Sequence, residues 1–113
     1  MSTATSTVRP VLVAGSWRDA DYQKTFRATD PNSNEPIPVD FPVSSWEDCD
    51  AALDAAVDAA RELRRLPRHQ IAEFLERYAD RIDAAKEALV EAAFRETGLA
   101  KSPRLADVEL PRT

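Results

Sequence analysis

Hydrophobic residues recur with two different periods along this chain. From Ser45 to Gly98 they return every three or four positions, a spacing that predicts amphipathic helices. Before Ser45, short runs of β-branched and aromatic residues lie between clusters of turn formers, which predicts strands. The pattern therefore predicts an α+β segment. An antiparallel β-meander over residues 10–43 precedes three to four amphipathic helices over residues 44–113.

The predicted meander begins with a strand at Val11–Val13, and Trp17 follows at strand spacing. The run KTFRATDP, which starts at Lys24, alternates in the same way and predicts a second strand antiparallel to the first. The next residues are dense in turn formers, and Asn34 can adopt the left-handed conformation that glycine usually takes. The run EPIPVDFP contains prolines, which cannot donate a backbone hydrogen bond, so it suits only an edge strand.

The first predicted helix runs from Ser45 to Leu66. Either Ser44 or Ser45 can cap it, and Ser44 with Glu47 fits a capping box. Pro67 disfavours helical geometry at the residue before it and ends the helix. Because alanine buries little area, we expect the apolar stripe to be covered by a sheet or by another subunit. The stripe consists of Trp46, Cys49, Leu53, Ala56, Val57, Ala60 and Leu63.

The helical pattern resumes after Pro67 and predicts one helix of about thirty residues, which is long for a globular domain. Asp83 is placed to cap a second start within it. Gly98 suits a left-handed stop at the C-terminal end. Beyond it, Ser102 and Pro103 suit the start of another helix, which is expected to end before Pro111.

Composition narrows the possible function classes. The 113 residues carry a formal net charge of −5, which disfavours binding to nucleic acid or to an anionic membrane surface. The opening MSTATST lacks the apolar segment of a signal peptide, and residues 1–9 are predicted to form a disordered tail. A single cysteine, Cys49, cannot form an intrachain disulfide, and this favours a reducing, cytoplasmic compartment.

Two features invite a functional interpretation. Cys49 lies near a helix start, which can activate a thiol, but it also lies on the apolar stripe, as a buried structural cysteine would. A basic cluster around the end of the first helix is either a phosphate site or a solvated helix end, where the dipole favours cations. We favour the structural interpretation of both, because no histidine neighbours Cys49 and acidic residues surround the cluster. The cluster consists of Arg61, Arg64, Arg65, Arg68 and His69.

No catalytic, cofactor-binding or metal-binding residue is predicted in this segment. Its two glycines, Gly15 and Gly98, cannot form the Gly-rich loop of a dinucleotide site or of a Walker phosphate site. His69 is the single histidine, so neither a catalytic triad nor a Glu-x-x-His di-metal set is available. The carboxylates of the second helical stretch are interpreted as a solvated face paired with basic residues.

Four segments follow one another in a particular order: LVAGSW, KTFRATDPNSNEPIP, SSWEDCDAALDAAVDAAREL and AEFLERYADRIDAAKEALVEAAFRETGL. From about Val11 to Thr113 this order resembles the N-terminal part of the NAD(P)-dependent aldehyde dehydrogenase family. That family has an x-G-x-W strand, a K-x-F strand ending in N-P-x-x-G-E, a capped Ala-rich helix and a helix pair closing at E-T-G. Here Asp30 replaces the Asn, Asn34 replaces the Gly, and Leu99 follows E-T-G where many members have Lys.

The ending of the chain, ETGL followed by PRL and ELPRT, resembles the NADP-dependent branch that oxidises 2-oxoglutarate semialdehyde (2,5-dioxopentanoate). Pro111 falls where that branch continues a helix. The resemblance implies an α/β family fold in which residues 44–113 form the helical part of an incomplete cofactor-binding domain. It also implies a homo-oligomer when the enzyme is complete.

The resemblance further implies the chemistry of the full-length enzyme. Such enzymes oxidise an aldehyde through a thiohemiacetal on a cysteine, pass hydride to NAD or NADP, and hydrolyse the thioester with the help of a glutamate. These residues lie downstream of the matched part, so none is carried onto this chain. Cys49 matches a position that is commonly aliphatic.

We therefore predict an N-terminal fragment of an aldehyde dehydrogenase whose substrate is 2-oxoglutarate semialdehyde. Its partners are the remainder of the dehydrogenase and, in the complete enzyme, the aldehyde, with no nucleic acid and no membrane. The fragment itself is expected to be inactive and to bind neither NAD nor NADP. The alternative is a stand-alone helical interaction module whose apolar stripes bind a partner protein.

Overall fold

The computed structural model describes residues 8–113 of the chain. These residues form two units. Unit 1 comprises residues 8–28 and 38–65, and unit 2 comprises residues 29–37 and 66–113. The elements in chain order are β1 (Val11–Val13), β2 (Ser16–Arg18), β3 (Tyr22–Phe26), β4 (Thr29–Asp30), β5 (Glu35–Pro36), β6 (Phe41–Ser44), α1 (Trp46–Leu63), α2 (Arg68–Ala84), α3 (Lys86–Thr97), a π-helical segment (Lys101–Glu109) and α4 (Leu110–Arg112).

The structure confirms the predicted α+β organisation, with short antiparallel strands followed by helices. Of the predicted disordered tail, residues 1–7 lie outside the described residues. Val8 forms a parallel bridge with Asp40, and the Arg9 N–H donates to the Asp40 carbonyl oxygen at 2.9 Å.

In unit 1, β1 and β2 form a hairpin with Val13 opposite Ser16. Its two turn residues, Ala14 and Gly15, both have positive φ, 51° and 80°. Two positive φ angles are what a two-residue hairpin turn of type I′ requires, because its twist matches that of the strands. Alanine is an unusual residue for such a position, since its Cβ disfavours the left-handed region.

The prediction that the second strand pairs with the first is wrong. β3 pairs with β6, with Phe26 opposite Phe41, and the rings of these two residues stack at 5.6 Å between centroids. β1 and β2 pair only with each other, and β3 takes a partner from much later in the chain. The alternation in the KTFRATDP run indicated a strand but held no information about its partner.

α1 begins one residue after its cap. The Ser45 side-chain oxygen accepts a hydrogen bond from the Asp48 N–H at 3.2 Å. Of the two predicted caps, Ser45 is therefore the one used. The residue three positions after this cap is Asp48, so the predicted capping box of Ser44 with Glu47 is not the one that forms.

In unit 2, β4 and β5 form a second hairpin across the predicted turn. Asn34 takes the predicted left-handed conformation, with φ of 59°, and its N–H donates to the Asp30 carbonyl at 2.7 Å. The Asp30 carboxylate accepts the Asn32 N–H at 2.8 Å, which is the local bonding that makes aspartate a common turn residue.

The single long helix predicted after Pro67 is instead two helices. The break lies at Ala85, whose φ of −96° and ψ of 12° leave the helical region, and no side chain caps the start of α3. Asp83 therefore does not have the predicted capping role. Gly98 ends α3 in the left-handed conformation, as predicted, with φ of 71°.

The last helical stretch extends through Pro111 rather than ending before it. The π-helical segment contains an extended residue, Ser102, and then runs into α4. Pro111 lies in the first turn of α4, where a missing N–H removes little helical bonding. In residues 8–113, none of the helices combines the length and the hydropathy needed to span a bilayer.

Candidate functional site

The buried side chains of unit 1 include two carboxylates, and the first of them is Asp48. It lies in the first turn of α1 with about 9% of its surface exposed. One carboxylate oxygen accepts from Arg18 Nη2 at 2.8 Å, and the other accepts from the Asp21 N–H at 2.8 Å. The Ser45 N–H in turn donates to the Asp21 carbonyl at 2.8 Å. The end of β2, the start of β3 and the start of α1 are thus joined around one carboxylate.

Asp40 is the second buried carboxylate, also with about 9% of its surface exposed. Arg27 reaches it with two nitrogens, Nε at 2.6 Å and Nη2 at 3.2 Å. A bidentate pair of this kind fixes both planes and is stronger than a single contact. The backbone of Asp40 also receives the bridge from Val8, so this residue joins three stretches of unit 1.

These contacts hold the pKa of both carboxyls below the ordinary value. For Asp48 the largest cause is the hydrogen bond from Arg18, followed by the one from the Asp21 N–H, and burial opposes them. For Asp40 the largest cause is the hydrogen bond from Arg27, which outweighs the effect of burial. The same pairing raises the pKa of Arg27. Lowered carboxyl pKa values indicate that both groups stay ionised and structural rather than acting as proton donors near neutral pH.

Unit 2 contains an open groove of about 340 Å³ between its helices. Tyr78 and Ile82 of α2, Leu89 and Val90 of α3, and Leu105 of the π-helical segment form its walls. Leu105 is buried, with about 6% of its surface exposed. The lining offers one carboxylate, from Glu109, which is held by Arg104 at 2.7 Å. The groove is therefore an apolar surface for packing and lacks paired polar groups for chemistry.

The apolar stripe of α1 packs only in part against its own unit. The helix buries Asp48 and half-buries Ala52 and Ala55, and of the stripe it half-buries Cys49 and Ala60. Trp46 and Leu53 of the stripe are 73% and 60% exposed. The stripe is predicted to need a cover, and within the described residues its large side chains are left exposed.

The residues of the predicted basic cluster belong to both units. Arg61, Arg64 and Arg65 belong to unit 1, whereas Arg68 and His69 belong to unit 2. All five are exposed. Arg61 pairs with Asp58 one turn earlier, at 3.5 Å. Their exposure and the local pairing of Arg61 favour a solvated helix end over a phosphate site.

Cys49 is half-buried and unpaired as a thiol. Within the described part of the chain, no group of three or more potential ligands could hold a metal ion. Gly15 lies in a hairpin turn and Gly98 at a helix end, so neither lies between a strand and a helix start, as a pyrophosphate-binding glycine does. Among residues 8–113, the two glycines therefore form no pyrophosphate-binding loop.

Sequence reasoning missed the arginine partners of the two buried carboxylates. Arg18 and Asp48 are thirty positions apart, and Arg27 and Asp40 are thirteen apart. An aspartate in the first turn of a helix is expected for its dipole alone, and nothing in the pattern identified its partner.

The comparison with family models identifies the class of protein. The model of the aldehyde dehydrogenase family matches residues 17–112, and the chain belongs to that family. This match confirms the resemblance to the aldehyde dehydrogenases, a family of oxidoreductases.

Two curated relatives are similar to this chain. One is alpha-ketoglutaric semialdehyde dehydrogenase 2 of Azospirillum brasilense, 46% identical over 90 residues, which are 78% of this chain and 17% of that relative. The other is D-glyceraldehyde dehydrogenase (NADP(+)) of Picrophilus torridus, 25% identical over 99 residues, which are 88% of this chain and 20% of that relative. The chain thus spans about one fifth of the length of the curated relatives it matches.

A solved structure shows the same fold. A NAD-dependent benzaldehyde dehydrogenase from Corynebacterium glutamicum superposes with a TM-score of 0.80, at 24% identity, over 96% of this chain and 23% of that one.

Proposed function

We propose that these residues are the N-terminal segment of an aldehyde dehydrogenase that oxidises 2-oxoglutarate semialdehyde with NADP or NAD. The observation that carries the proposal is the family match over residues 17–112. The 46% identity to the Azospirillum enzyme supports the choice of substrate. The lone cysteine and the family support a cytoplasmic enzyme.

Within that enzyme the segment has a structural role. Its buried carboxylates are bonded to arginines, and its remaining conspicuous groups are apolar and exposed. On α2, Phe74, Leu75 and Tyr78 are each about 60% exposed, and the groove of unit 2 opens beside Tyr78. We propose that the remainder of the dehydrogenase covers this surface and supplies the catalytic cysteine, the glutamate base and the cofactor loops.

A graft into the Azospirillum enzyme tests the structural role. Residues 17–112 would replace the matching segment of that enzyme, and reduction of NADP⁺ or NAD⁺ by the graft would be followed with 2-oxoglutarate semialdehyde. We expect activity within about tenfold of the parent, because the grafted surface would meet a body of the same family. A folded graft without activity would contradict the proposal.

Two variants of the graft locate the contact. Leu75→Asp places a charge on the surface of α2 that we expect to be covered, so it should abolish soluble, active enzyme. Glu76→Gln changes the neighbouring exposed residue and should leave activity unchanged. Equal effects of the two changes would show that this surface is not covered.

The substrate is tested on the protein encoded by the complete gene. Its kcat/KM would be measured for 2-oxoglutarate semialdehyde, D-glyceraldehyde and benzaldehyde, the aldehydes that the three similar proteins are named for. We expect the semialdehyde to be preferred by at least about tenfold. A preference for another aldehyde would overturn the substrate while leaving the family in place. A gene that ends with this segment would instead favour the interaction module.

A further inference from the structure

We draw no further inference here: the strongest candidate, the open apolar groove between the helices of unit 2, belongs to a segment that spans about one fifth of the length of its curated relatives, and nothing in the structure shows what covers it.

Discussion

The two units of this chain bury opposite kinds of side chain. Among the described residues, the buried ones in unit 1 are Asp40 and Asp48, each bonded to an arginine. Those in unit 2 are Ile37 and Leu105. Unit 1 is thus organised by directional contacts that join distant strands and a helix start. Unit 2 is organised by non-directional apolar contact along its helices.

Neither kind of interior is large. Trp17 and Phe26 of unit 1 are 68% and 56% exposed, and Phe74 of unit 2 is 61% exposed. Burial of large apolar residues is the dominant stabilising contribution in folding. In the described residues most of the large apolar side chains remain exposed. The comparison shows that local bonding can fix the shape of a segment whose apolar faces still need a partner.

Acid should reveal the largest difference in stability between the two units. The pKa values of Asp40 and Asp48 are lowered on folding, so folded unit 1 binds fewer protons than the unfolded chain does. The stability they provide is complete above the unfolded value of about 3.9 and is lost as the pH falls through the lowered values. Unit 2 buries no such group among its described residues, so we expect its helices to persist after the strands of unit 1 have been lost.

The measurement is residue-resolved NMR of the chain between pH 7 and pH 2. Asp48→Asn keeps the shape but not the charge, so it should lower the melting temperature of unit 1 at pH 7 and reduce its response to acid. Simultaneous loss of both units in the wild-type chain would mean that the carboxylates do not set the difference between them.

Leu105→Ala should have the largest effect on unit 2. It removes the most buried apolar side chain there and enlarges an existing groove, so we expect a loss of about 2–3 kcal/mol, near the lower end for such changes. Urea unfolding followed at α3 measures it. Leu75→Ala is the matched control, and since it is 59% exposed it should cost less than about 0.5 kcal/mol. Equal costs would contradict an apolar interior centred on Leu105.

Gly98→Ala should have an intermediate effect on unit 2. The left-handed φ disfavours any side chain, and a Cβ would lie 3.1 Å from Pro31 Cγ of the β4–β5 hairpin. We expect a loss of about 1–2 kcal/mol from the strained conformation and the close contact. Unfolding in urea would show it, and an unchanged midpoint would mean that α3 can end without a glycine.

Ala14→Gly should have the smallest effect, and the opposite sign. Ala14 is strained at a φ of 51°, so glycine should stabilise unit 1 by up to about 1 kcal/mol. Gly15→Ala is the reciprocal change. It meets no atom within 4 Å but keeps a φ of 80°, so it should destabilise by a similar amount. If both changes destabilise, the type I′ turn is not the conformation of the free hairpin.

Local signals predicted much of this fold. Ser45 as a cap, Asn34 in a turn and Gly98 at a helix end each follow from the chemistry of one residue and its neighbours, and the structure has all three. The second helix start was placed at Asp83, two residues before the break at Ala85, because alanine carries no stop signal. The pairing of β3 with β6 was missed, because the partner lies far along the chain. The same limit hid the pairs of Asp40 and Asp48, whose arginines are distant in sequence.

The sequence predicted the apolar stripe on α1 but not whether it faces its own unit or away from it. A periodic apolar face indicates that something covers it and does not identify the cover. The family resemblance added what periodicity lacks, because it predicted that the chemistry lies outside these residues. The match over residues 17–112 confirms the family.

The central claim is that the segment supplies framework and that nucleotide chemistry belongs to the rest of the enzyme. Isothermal titration of NADP⁺ into the purified 113-residue chain tests it most directly. We predict no heat of binding up to about millimolar nucleotide, because Gly15 and Gly98 serve a turn and a helix end. Saturable binding with micromolar affinity would contradict the account and place a cofactor site within these residues.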